Sequence, residues 1–94
     1  MNKAVLGNKL KEMREAKDLT QLQVSKRLGY TTAQFISNWE RGLSQPPMDV
    51  LGALSKLYKA DPDRIFEDIV QIQIANTKEA LINKFQKSKR NWKQ

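Results

Sequence analysis

Ninety-four residues with 17 Lys and Arg against 10 Asp and Glu make one small basic domain at most, whose net charge of +7 favours an anionic partner, nucleic acid ahead of membrane. Cysteine and histidine are absent, which excludes a disulfide framework, a thiolate nucleophile and the usual zinc ligands. No run reaches the roughly 18 apolar residues of a membrane span, and "MNKAVLGNKLKEMREAK" lacks a signal-peptide core, so a soluble, cytoplasmic chain is expected.

Apolar positions at Leu6, Leu10 and Met13, with Val5 beside them and Lys9, Lys11, Glu12 and Glu15 between, predict an amphipathic helix ending near Lys17. "DLTQLQVSKRLG" begins a second, short one. Thr20 and Gln23 suit a capping box, and Gly29 suits a left-handed stop. A third helix starts at Thr31 or Thr32, because Thr31 with Gln34 forms a possible capping box while Thr32 offers Ala33 at the first turn. Gly42 ends it near Arg41.

"LSQPP" reads as a loop, and "MDVLGALSKLY" resumes helical spacing through Met48, Leu51, Leu54, Leu57 and Tyr58. Asp61-Pro62 is a helix start, followed by an apolar face at Ile65, Phe66, Ile69 and Ile72. Asn76-Thr77 with Glu79 offers one more cap, ahead of Leu81, Ile82 and Phe85 among lysines. The chain is therefore all-α. Charge is unevenly spread along it: residues 1–30 carry +4, 31–77 carry −2 and 78–94 carry +5. Such a division suits a weakly charged reading surface flanked by phosphate anchors.

"TQLQVSKRLG" and "ISNWERG" resemble the helix-turn-helix family of phage repressors and Cro proteins, also called the xenobiotic response element family. The likeness covers about residues 4–70. It includes Thr20 and Gln21, Ser25 where alanine is usual, Gly29, Ile36, "SNWERG" at 37–42, Pro46 and "DPDRIF". It implies a compact five-helix lambda-repressor-like domain over residues 1–70, leaving 71–94 as a basic amphipathic helical extension. From Gly29 to Ser37 is one residue more than the family spacing, and the addition falls in the turn, most simply at Tyr30 or Thr31.

Two helices that cross closely need a small residue at Ser25 and a permissive one at Gly29, with Val24, Leu28, Phe35, Ile36 and Trp39 filling the angle. Thr32, Ala33, Gln34, Ser37, Asn38 and Arg41 are left facing outward, with Thr31 at the turn. Carboxamides match adenine N6 and N7, and a small aliphatic group touches a thymine methyl. By the resemblance, Gln34 and Asn38 read base edges, with Ala33 and Ser37 next, and Gln21 holds a phosphate. Ser44 and Gln45 are further phosphate candidates in the loop. Arg14 and Glu40 match the family's partly buried ion pair, which makes them architecture.

The expected function is sequence-specific DNA binding by a transcriptional regulator, with repression the favoured sign, as a homodimer on a palindromic operator. Ile69, Ile72, Leu81 and Phe85 are the candidate dimer contacts. The tail lysines 84, 87, 89 and 93 with Arg90 suit either a solvated helix or phosphate contacts. A second reading makes the same fold an adaptor or antitoxin whose residues 71–94 hold a protein partner. No cofactor, metal or catalytic residue is expected, since no carboxylate pair has a supporting constellation.

Overall fold

Asn2 opens the first helix by accepting the Val5 N–H on its Oδ1 at 2.9 Å, and α1 runs Lys3–Ala16. In this computed structural model, which describes residues 2–92, α2 (Gln21–Arg27) and α3 (Gln34–Glu40) follow. A 3-10 turn at Met48–Val50 leads into α4 (Leu51–Tyr58), and α5 spans Pro62–Trp92. The described residues hold five helices and no strand, an all-α fold. Lys93 of the basic tail lies outside them.

Local chemistry sets most of the boundaries. Thr20 Oγ1 accepts the Gln23 N–H at 3.1 Å and Gln23 Oε1 accepts the Thr20 N–H at 2.8 Å, a complete capping box. Gly29 at φ 89° and Gly42 at φ 74° end α2 and α3 in the left-handed region, where a side chain is strained. At the start of α5, Asp61 Oδ1 accepts the Asp63 N–H, with Pro62 in the first turn.

One core joins all five helices. Leu6 and Leu10 meet Val24, Ile36 and Trp39, while Leu51, Leu54 and Tyr58 of α4 close on Ile65, Ile69 and Ile72 of α5. Each large side chain buried this way contributes about 1.5–3 kcal/mol, enough for a small domain to hold three short helices in fixed register. Gly7 lets α1 sit directly on the end of α3. A Cβ there would lie 2.8 Å from the Trp39 carbonyl oxygen and closer still to that of Glu40.

Five expectations need correction. No helix starts at Asn76-Thr77: α5 passes through residue 70 and through this pair without a break. Between Pro62 and Trp92 there is neither glycine nor another proline, so no residue breaks the helix that arrives at this pair. Keeping Asn and Thr inside the helix costs only some tenths of a kcal/mol each, up to about 0.7. The extension is thus the continuation of the fifth helix.

The second correction concerns dimer contacts. Ile69 and Ile72 are 2% and 1% exposed, packed within their own domain, so they offer nothing to a second copy. Leu81 and Phe85 are each 61% exposed. The start of α3, the placing of Phe35 and that of Gln45, described next, are the other three.

Candidate nucleic-acid interface

Ser25 builds the turn. Fully buried, it accepts the Tyr30 N–H on its carbonyl at 3.0 Å, while the Gly29 N–H reaches the Lys26 carbonyl at 3.1 Å, so the α2 end is a Schellman closure. Its hydroxyl donates across the turn to the Thr32 carbonyl. A small side chain was expected here for close approach. The hydrogen bond across the turn is an addition that no local spacing reveals.

Thr31 and Thr32 do not begin α3, which starts at Gln34 after Ala33, and no capping box forms between Thr31 and Gln34. Thr32 Oγ1 instead accepts the Gln34 N–H at 3.3 Å. The residue added relative to the family spacing is absorbed by a longer turn, leaving Thr31 and Thr32 exposed ahead of the helix. Phe35 is 51% exposed, not part of the filled angle. A seven-residue helix turns only Ile36, Trp39 and Glu40 inward, at helical spacing, and Phe35 stacks on Tyr30 at 4.7 Å between ring centroids.

Glu40 ties three helices together. Arg14 on α1 donates from Nε to Oε2 at 2.7 Å and from Nη2 to Oε1 at 3.0 Å, a two-pronged pair almost entirely out of solvent. Arg14 Nη1 also donates to the Leu19 carbonyl at 2.8 Å, fixing the α1–α2 connection. Gln21, the first residue of α2, donates from Nε2 to Glu40 Oε1 at 3.1 Å. The hydrogen bond to Glu40 holds the Arg14 guanidinium above its ordinary value, against the opposing effect of burial. It is charged at every pH the fold meets.

The outward side of α3 is a connected polar row. Gln34 Nε2 donates to Asn38 Oδ1 at 2.8 Å and Arg41 Nη2 donates to the same oxygen at 3.0 Å. Beside this row, Ser37 and Arg41 line a cleft with Gln21 and with Ala4, Asn8 and Lys11 of α1. Ala33 lines the neighbouring cleft with Thr20, Gln21 and Leu22. The fold therefore gathers Gln21, Ala33, Gln34, Ser37, Asn38 and Arg41 along one edge.

Two loop residues part company. Ser44 is exposed beyond Gly42. Gln45 is turned onto α5, where its Oε1 accepts from Gln73 Nε2 at 2.8 Å and its own Nε2 is covered, so it is not free for a phosphate. Asn8 and Lys11 were missed by sequence reasoning. Their signal was the i, i+4, i+7 series Ala4-Asn8-Lys11, a single stripe of α1 beside Gly7, the residue that packs on α3.

A short helix pinned across a second by a glycine turn, with neutral polar tips outward and basic groups at its flank, defines a helix-turn-helix domain. Comparison with known proteins agrees: a family model described as helix-turn-helix matches residues 10–65. The chain belongs to that family, so its fold is that of a DNA-binding regulator domain and not of an enzyme. It is also similar to the HTH-type transcriptional activator BcrR of Enterococcus faecalis, 34% identical over 71 residues that cover 76% of this chain and 34% of that protein. The chain spans about a third of that relative's length. Among the described residues no helix is long and apolar enough to cross a membrane.

Proposed function

We propose that this domain is the sequence-reading part of a transcriptional regulator, laying α3 in the major groove of double-stranded DNA. The observation that carries the reading is the row Gln34, Asn38 and Arg41, held outward by the burial of Ile36 and Trp39 on the same helix. Gln34 and Asn38 read base edges through their carboxamides, Ala33 meets a thymine methyl, and Ser37 with Thr31 and Thr32 extends the contact. Gln21, Ser44 and Lys11 take phosphates beside them.

Magnitudes allow exchange of the internal row for DNA. The exposed bonds onto Asn38 are each worth about 0.5–1.5 kcal/mol net. A good bidentate match to a base discriminates by about 1–3 kcal/mol. The row thus holds the side chains in reach without locking them away.

Two copies on half-sites about 34–36 Å apart fit a palindromic operator. The similar protein is named for activation, which does not favour the repressor expectation. The sign of regulation depends on where the bound site lies against its promoter. Selection of bound duplexes from a random pool tests the proposal: a recurring inverted repeat supports it, and a pool that stays random contradicts it.

A further inference from the structure

Beyond Ile72 every described residue of α5 is exposed, a helical arm of some 20 residues and about 30 Å. The radius of gyration is 16.8 Å, against about 12 Å for a compact chain of this length, so the arm stands clear of the body. Along it runs an apolar stripe: Phe66, Val70, Ile74, Leu81, Phe85 and Trp92 fall within about 100° of arc at 3.6 residues per turn. The core face of the same helix, Ile65, Ile69 and Ile72, points elsewhere. Leu81, Phe85 and Trp92 are 61%, 61% and 77% exposed, and the stripe forms a shallow groove between Ile74 and Leu81. Contiguous apolar surface of this kind marks an interface.

Charge says what covers it. On the stripe's own side of α5, Asp63 and Glu67 lie toward the N-terminal end and Lys84 and Lys89 toward the C-terminal end, with Lys78 at the middle. Two copies side by side in parallel stack like charge on like. Reversing one copy brings each acidic end to a basic one.

We infer that a second copy of this chain pairs antiparallel along α5, about a two-fold axis between Thr77 and Lys78. In that register Ile74 of one copy meets Leu81 of the other, Val70 meets Phe85, and Glu67 comes beside Lys89. Lys78 sits near the axis but at the edge of the stripe, where its long stem lets the ammonium reach water. The inference rests on the two-copy part of the function proposed above and gives it a surface, an orientation and a register. Its test uses no DNA, so failure of DNA reading leaves the result unchanged.

The chain has no cysteine, which makes cross-linking unambiguous. Ile74→Cys and Leu81→Cys variants are oxidised separately and as an equimolar mixture. Antiparallel pairing gives a disulfide-linked dimer joining the two different variants in the mixture, and little or no cross-linking of either alone. Efficient self-linking of Ile74→Cys overturns the inference in favour of parallel pairing. No cross-linking in any sample overturns it in favour of a monomer or a different protein on the stripe. By sedimentation equilibrium, Glu67→Lys weakens the dimer about tenfold or more, and adding Lys89→Glu to the same chain restores it. A double variant no tighter than the single one contradicts the register.

Discussion

Arg14 and Glu40, 26 residues apart, meet through two hydrogen bonds of 2.7 and 3.0 Å, and Gln21 donates to the same carboxylate. The end of the proposed reading helix is thereby bolted to both helices before it. A charge pair this far from solvent contributes little compared with an apolar substitute, yet losing one partner strands the other.

Glu40→Ala should therefore destabilise the domain by about 3–5 kcal/mol, read from chemical denaturation. Much of any loss of DNA binding in that variant then disappears when affinity is corrected for the folded fraction. A variant folded as well as the parent but unable to bind would move Glu40 from architecture to contact.

Gly7→Ala should destabilise by about 1–3 kcal/mol, because the new methyl meets the carbonyl oxygens of Trp39 and Glu40, backbone atoms that cannot swing aside. Gly52, also helical, has open space where its Cβ would go. Gly52→Ala should instead be neutral or stabilising by up to about 1 kcal/mol. Comparing thermal midpoints of the two variants isolates the α1–α3 contact from the general effect of glycine on a helix.

Tyr58 supplies a pH dependence. Burial first, and the nearby Glu40 carboxylate second, push its hydroxyl above the ordinary 10.0. The folded state therefore keeps the proton longer than the unfolded state, so this contribution is whole below pH 10 and is lost as pH rises toward the folded value. Its slope is at most about 1.4 kcal/mol per pH unit. Tyr58→Phe should flatten the decline in stability above pH 10 relative to the parent, measured by urea unfolding across that range.

How much of this was legible follows the range of each interaction. Thr20 with Gln23, Gly29, Gly42 and Asp61-Pro62 act within a few residues, so the ends of α2 and α3 and the start of α5 could be read directly. The start of α3 could not, because Thr31 and Thr32 both satisfy capping chemistry, yet the helix begins past both of them at Gln34, with the Thr32 carbonyl held by Ser25 across the turn. Spacing showed Ile69, Ile72, Leu81 and Phe85 as apolar helical positions, but not that one unbroken helix carries all four, nor that the first pair belongs to the core and the second to the free arm. Gln45 looked like a loop anchor until Gln73, 28 residues on, claimed it. The outward placement of Gln34 and Asn38 was readable because Ile36 and Trp39 fix which way the helix faces.

The affinity of Asn38→Ala and Gln34→Ala for a selected duplex and for random duplex, at one salt concentration, tests the reading helix most directly. The account predicts a loss of about 1–3 kcal/mol on the selected site, little change on random DNA and an unchanged unfolding midpoint. Equal losses on both duplexes, or none on either, would contradict it.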